Sequence, residues 1–376
     1  MLLALPAIVR TAASKSPAVR SGSFAFAISS HWAFEIEPTF VVKGLAAPFS
    51  TLVGASGGPK WLILSELDQV LGKELLTTAQ QPMTLIGSSI GTWRHACLSQ
   101  PDPVAAVKRL QYAYLHQEYR STKPSPQEVS QVAERLLGEA LGAEGIQNIV
   151  QHRRLRSTVI TARAKGIARG RRGAPLIAGM AAAMVANSLS RRALSQLFER
   201  VAFCHSDVTE VPFARGFNTQ KVMLTEHNLV PALKASGAIP LLMQCEENIP
   251  GGPLGPYWDG GIIDYHFSLE RHTESGLILY PHFLDRLTPG WFDKRLPWRS
   301  HRTPALDNLV LICPSEEFLA GLPFGKIPDR KDFQTLSPAE RLTYWQTCVC
   351  ESEQLATAFF ELIHSDNPLR GAVIAP

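Results

Sequence analysis

Met83-Thr84-Leu85-Ile86-Gly87-Ser88-Ser89-Ile90-Gly91-Thr92-Trp93-Arg94 is the stretch that decides the fold class of this chain. Residues 83–87 form a short apolar run of strand type, and 91–98 have the composition of a helix. Two glycines flank a serine where the one gives way to the other. Small residues at those places permit a sharp strand-to-helix turn that sets a serine at a helix N-terminus, where backbone N–H groups favour negative charge. Alone the turn is a weak signal, because glycine-rich turns between strand and helix are common.

The alternation continues outward in both directions. Toward the N-terminus, Phe49 to Gly54 is another run of β-formers ending in a Gly-rich turn. Trp61, Leu64, Leu67, Val70 and Leu71 then share one face of a helix expected over 60–71, with Pro59 suited to a first helical position. Toward the C-terminus, helices are expected at 103–119 and 126–141, and strands at 157–162, 221–225, 277–280 and 309–313. Ser337-Pro338-Ala339-Glu340 is a capping-box sequence opening a long helix to about His364. Strands alternating with helices predict an α/β fold, a three-layer α/β/α sandwich around a mainly parallel sheet, with a helical C-terminal extension.

Composition limits the function classes. With 45% hydrophobic and 19% charged residues, the 376-residue chain is too apolar for a disordered protein. A formal charge of +4 is small for this length and argues against a dedicated nucleic-acid binder. Only Cys348 and Cys350 of the six cysteines lie close together, with no second pair at zinc-ligand spacing. This argues against a zinc or disulfide scaffold and for a reducing compartment. No metal constellation, calcium dependence or cofactor is implied.

The most apolar run, 174–189, is shorter than the ~20 residues of a membrane span and reads as a buried or interfacial helix. At the N-terminus the apolar residues come first and Arg10, Lys15 and Arg20 after them, the reverse of a secretory signal. Residues 1–40 therefore read as a poorly ordered extension, with an organelle transit peptide as the alternative. The expected location is cytoplasmic. Between Glu144 and Glu199 lie 54 residues without an acid and with ten Lys or Arg, so the rest of a chain of net +4 carries −6. These cations, at 153–192, surround the apolar run, a mix suited to peripheral contact with an anionic lipid surface; the competing reading is a solvated face over a core helix.

A second Gly-x-Ser-x-Gly stands at Gly54-Ala55-Ser56-Gly57-Gly58, continuing into Pro59-Lys60. Crowded glycines followed by a cation suit a loop whose bare backbone approaches an anion. Ser89 is thus the better nucleophile, and the first loop the better oxyanion hole. Asp259-Gly260-Gly261 places an acid in a tight turn, either as a base presented into a cleft or as a plain Asp-Gly turn.

In chain order these blocks resemble the patatin-like phospholipase family. Residues 56–60 resemble its G-G-G-x-[KR]-G loop, 87–91 its G-x-S-x-G, 231–240 its A-x-x-A-S-x-A-x-P segment and 259–261 its D-G-[GA]. Ser56 stands for the first loop glycine and Trp61 for the last. The resemblance covers 49 to 284 and implies a hydrolase domain over 41–290 with a basic Ala-rich insertion at 150–200, followed by a C-terminal extension over 291–376. It also implies a Ser89–Asp259 dyad, an oxyanion hole from the N–H groups of Gly57 and Gly58, and hydrolysis of a lipid or fatty-acyl ester through an acyl-enzyme. Lys60 is read as structural, with an added positive field as the alternative. An acyltransferase and an inert lipid-binding protein are the alternative functions. His266, His272 and His282 follow Asp259 in the chain order of a conventional triad.

Overall fold

Continuous apolar runs of five or six residues form strands that must be covered on both faces, and they lie at the centre of this fold. The computed structural model describes residues 6–10, 24–29, 49–211, 216–267, 276–299 and 309–364. Its strands, in chain order, are β1 (Pro6–Arg10), β2 (Phe24–Ser29), β3 (Phe49–Gly54), β4 (Met83–Ser88), β5 (Leu155–Ala164), β6 (Phe198–Cys204), β7 (Thr219–Met223), β8 (Glu246–Glu247), β9 (Pro256–Asp259), β10 (Leu277–Pro281) and β11 (Leu309–Pro314). They form one sheet of order β1-β2-β11-β10-β3-β4-β5-β6-β7, with β9 pairing β5 and β8. The centre, β11-β10-β3-β4-β5, is parallel throughout. Antiparallel pairs occur toward the margins, where β2 meets β11 and β5 meets β6.

Every residue of β4, β10 and β11 is buried. Helices flank the sheet, so the fold is an α/β sandwich with a helical C-terminal region. The elbow helix Ile90–Leu98 is buried along its whole length. The helix Pro338–Ile363 is opened by Ser337, whose hydroxyl accepts from the Glu340 N–H while the Glu340 carboxylate accepts from the Ser337 N–H. It packs on the helix Ser65–Val70.

Some elements differ from the sequence reading. The helix expected over 60–71 is a 3-10 turn Gly58–Leu64, an α-helix Ser65–Val70 and a wider π-turn Leu71–Leu76. The helix expected to 119 ends at Leu115. Strand β6 was hidden by Glu199 and Arg200, which break its apolar run. Both are buried because Glu199 meets Arg163, and Arg200 meets Asp264 with two bonds of 2.6 and 2.8 Å. Within residues 1–40, β1 and β2 are strands, and the rest of that segment lies outside the described residues.

The Ala-rich run is the helix Gly173–Leu189. Leu176, Met180 and Ala183 lie on its buried face, while Ile177, Val185 and Leu189 on the other face are 57, 58 and 77% exposed. Among the described residues, no helix is long and apolar enough to cross a membrane.

Candidate active site

Strand β4 ends at Ser88 and the elbow helix starts at Ile90. Ser89 between them has φ 55° and ψ −132°, a strained conformation for a residue with a side chain. The turn exists because its neighbours lack one. A Cβ on Gly91 would stand 2.2 Å from the Gly54 carbonyl oxygen, so only glycine lets the helix lie against the end of β3. Ser88 and Ser89 point to different partners. The Ser88 hydroxyl bonds to the Ser56 hydroxyl at 2.8 Å and donates to the Asp264 carbonyl. The Ser89 N–H donates to Ser236 Oγ at 2.9 Å, and Ser236 donates onward to the Ile160 carbonyl at 2.6 Å. Trp93 Nε1 donates to the Leu233 carbonyl at 3.0 Å, and Arg94 binds Asp68 through two bonds of 2.7 Å.

Sheet register carries the acid to the serine. Ser88 of β4 is level with Ile160 of β5, and the next residue, Thr161, pairs with Asp259 at the end of β9. Ser89 Oγ donates to Asp259 Oδ2 at 2.7 Å, and the Gly261 N–H donates to Asp259 Oδ1 at 2.7 Å. Both following glycines are demanded by close contacts: a Cβ on Gly260 would meet the Ile160 carbonyl oxygen at 2.2 Å, and one on Gly261 the Ser56 hydroxyl at 2.6 Å. Burial raises the Asp259 carboxyl above its ordinary range; the Arg330 charge, the two hydrogen bonds and Lys294 oppose the rise.

The loop after β3 passes beside the serine. Gly58 has φ +57° and lines the same cavity as Ser89. The Ser56 N–H donates to the Tyr265 carbonyl at 2.9 Å, whereas the N–H groups of Gly57 and Gly58 have no hydrogen-bond partner among the described residues. Trp61 is a core residue, packed edge-to-face on Tyr114 at 5.8 Å. Lys60 Nζ lies 5.3 Å from the centre of the Phe283 ring and does not line the cavity. Burial lowers its pKa, with Asp329 opposing and Arg330 adding to the shift.

The cavity above Ser89 measures about 710 Å³, within the range of sites for small-molecule ligands. Trp93, Leu136, Ile239, Met243 and Phe333 are among its apolar walls. A second, much smaller cleft at the serine is lined by Asp259, Tyr265, Lys294 and Arg330 together with the apolar Ile239, Pro240, Ile262 and Trp291. Lys294 is exposed over much of its length, yet its ammonium sits 3.7 Å from the centre of the Tyr265 ring. Burial of that end, with the charges of Arg330 and Lys60, pushes Lys294 down to about 7.

Two of the three candidate histidines lie elsewhere in the core. His266 and His282 pack on each other at 4.3 Å, and neither hydrogen-bonds to Ser89 or Asp259. Burial lowers both, His266 well below its usual value and His282 to about 3, which keeps them neutral. His272 lies outside the described residues. Sequence reasoning missed Ser236 as the anchor of the Ser89 N–H, and missed Lys294 and Arg330. Ser236 stood within a recognised segment, but Asp329-Arg330-Lys331 reads as an ordinary charged turn.

No protein-family model matches the chain, and no curated protein does. Among solved structures, the chain is similar to the crystal structure of the type III effector protein ExoU, with 16% identity and a TM-score of 0.27 over 89% of this chain. The match spans about half of that effector, 56% of its chain. A likeness so distant carries neither a fold nor an activity across.

Proposed function

We propose that this chain is a lipid acyl hydrolase of the patatin-like kind, cleaving carboxylic esters of long-chain acids through Ser89 and Asp259. The observation that carries the reading is the 2.7 Å bond from Ser89 Oγ to Asp259, with Ser89 on the wall of a largely apolar cavity of about 710 Å³. In the first half-reaction Ser89 Oγ attacks the ester carbonyl carbon while its proton passes to Asp259. The carbonyl oxygen becomes an oxyanion beside the unpaired N–H groups of Gly57 and Gly58. Collapse breaks the ester C–O bond, the alcohol leaves with the proton from Asp259, and the acyl group stays on Ser89. Water then attacks the acyl-enzyme, gives its proton to Asp259, and the acid leaves as Ser89 regains its proton. Asp259 fits the task because burial moves its basicity up from that of an ordinary carboxylate.

The substrate lies in lipid, and the exposed apolar face of Gly173–Leu189, with Ile167, Arg169 and Arg172 beside it in the chain, is proposed as the peripheral contact with that surface. The deciding experiment is hydrolysis of a panel of lipid esters by the purified protein beside Ser89→Ala, with fluorophosphonate labelling of both. Labelling of wild type and its loss in Ser89→Ala, together with a fall in turnover of 10²-fold or more, is expected. Full turnover in folded Ser89→Ala would overturn the assignment. Release of free fatty acid, rather than an ester of an added alcohol, separates hydrolysis from transfer.

A further inference from the structure

The elements outside the region of family resemblance bring two cations to the serine. Arg330 lies in the turn before the helix Asp332–Thr335, and Lys294 lies in the 3-10 turn Trp291–Arg295. Arg330 lines both the apolar cavity and the small cleft, as do Ser89 and Ile239, so its side chain stands where the two meet. Its Nε would be 3.1 Å from a Cβ placed on Gly58. Lys294 faces it across the cleft, and Lys60 adds its field from behind the Gly57-Gly58 loop. Among the described residues, none of the three forms an ion pair. Among the other cations of the core, Arg94 is matched by Asp68 and Arg200 by Asp264, whereas Arg341, which also lines the apolar cavity, donates to the Gln117 carbonyl and lies 4.3 Å from the centre of the Phe333 ring without an ion pair among the described residues. Asp259 and Asp329 are the acids whose charges act on Lys294, and neither is within ion-pair distance of Lys294 or Arg330.

We infer that Arg330 and Lys294 form a subsite for an anionic group of phosphate type on the alcohol side of the ester, so that the site prefers acyl esters of anionic alcohols to neutral ones. This inference rests on the hydrolase reading. The apolar cavity takes the acyl chain, the carbonyl sits between Ser89 and the loop glycines, and the alcohol is left pointing toward the cleft. A guanidinium without an ion-pair partner at that junction offers two parallel donors to phosphate oxygens, and an incoming anion favours the protonated form of Lys294 opposite, which then supplies a second charge. The cleft now measures about 10 Å³, room for roughly one water, so the exposed Lys294 side chain moves aside as the group enters.

The test compares 1-oleoyl lysophosphatidate with 1-oleoylglycerol, one acyl chain with and without the phosphate, in mixed micelles of one neutral detergent. The ratio of kcat/KM for the anionic over the neutral ester is expected to fall tenfold or more in Arg330→Gln, to fall less in Lys294→Gln, and to recover in part in Arg330→Lys. An unchanged ratio overturns the subsite, and so does a parallel loss on both esters, which would make Arg330 a group that acts only through Asp259. Inorganic phosphate is added to the 1-oleoylglycerol assay as a separate arm. Inhibition that Arg330→Gln abolishes extends the site to free phosphate; no inhibition with a shifted ratio restricts it to the head group of a lipid. A binding readout keeps the subsite separate from the chemistry. Ser89→Ala should bind lysophosphatidate at least tenfold more tightly than 1-oleoylglycerol, followed by quenching of Trp93 and Trp291 fluorescence, and Ser89→Ala/Arg330→Gln should lose the difference. That result supports the subsite even if neither ester is hydrolysed, and equal affinities overturn it even if both are.

Discussion

At the residue scale, the chemistry proposed for Ser89 rests on a carboxylate whose basicity is set by opposing effects. Burial raises the pKa of Asp259, while Arg330, two hydrogen bonds and Lys294 pull it back. Only the ionised form can accept the serine proton, so under this reading turnover is expected to fall as pH drops through a value above the ~3.9 of an unperturbed aspartate. Removing the Arg330 charge removes the first of the opposing influences. In Arg330→Gln, the acid limb of the kcat/KM profile on a neutral ester is expected to move to higher pH; a limb that stays in place would mean that Asp259 is not the base. The same shift has a consequence for stability. A carboxyl whose folded pKa is raised contributes stability below its unfolded pKa and loses it as pH rises through the folded value. At pH 7 wild type therefore carries a charge the fold disfavours. Asp259→Asn is expected to unfold at a temperature no lower than wild type while losing turnover, a trade common at catalytic positions.

At the element scale, the site is held by the close approach of β3 and the elbow helix and by polar ties on either side. Gly91 sets the approach, Ser236 pins the Ser89 N–H, and Arg94–Asp68 ties the elbow helix to the helix after the glycine loop. Gly91→Ala sets a methyl 2.2 Å from the Gly54 carbonyl oxygen, and backbone cannot move aside as a side chain can. The helix must shift off β3, which takes Ser89 away from both Asp259 and the loop. Overpacking of this kind costs about 1–3 kcal/mol. A purified Gly91→Ala protein should show that loss in a denaturant titration and a much larger proportional loss of turnover. Wild-type stability would mean that the contact is relieved without moving the helix. The helix Pro338–Ile363 and the turn before Asp332 show the reverse relation between legibility and role. The capping box is readable, yet what this region contributes is Arg330 at the serine, Phe333 of the helix Asp332–Thr335 in the cavity wall, and Pro338 and Arg341 of the long helix beside it.

At the scale of the whole molecule, the acid-free stretch from 145 to 198 is less basic than it looks in sequence. Arg156, Arg163, Arg171 and Arg191 each meet an acid brought from elsewhere in the chain: Asp207, Glu199, Glu247 and Asp293. Arg169 and Arg172 have no such partner among the described residues, and they precede the helix whose outer face exposes Ile177, Val185 and Leu189. An apolar stripe beside unpaired cations suits the interface of an anionic bilayer, where each cation adds about 1 kcal/mol. Co-sedimentation with phosphatidylserine vesicles is expected, weakening with salt, and Arg169→Glu/Arg172→Glu should weaken it roughly tenfold or more. Vesicle binding that is absent, or indifferent to both salt and this double variant, would make the stripe an ordinary surface.

Where the chain must turn sharply, or where two backbones touch, only small residues fit, so the need is written in consecutive letters. Gly87-Ser88-Ser89-Ile90-Gly91, Asp259-Gly260-Gly261, the apolar strands and the Ser337–Glu340 cap were legible for that reason. The α/β class follows from their alternation. What a lone charged residue meets is decided by residues far along the chain, 64 positions away for Arg200 and 102 for Arg191. Strand β6 was obscured because Arg200 finds Asp264 only across the fold, and the basic block was overestimated because its partners lie outside it. Arg330 and Lys294 carry no local pattern, and only the packing of the C-terminal region brings them to Ser89. Steric demands of the backbone are local and appear in sequence; electrostatic complementarity acts through space, and the tertiary structure alone determines it.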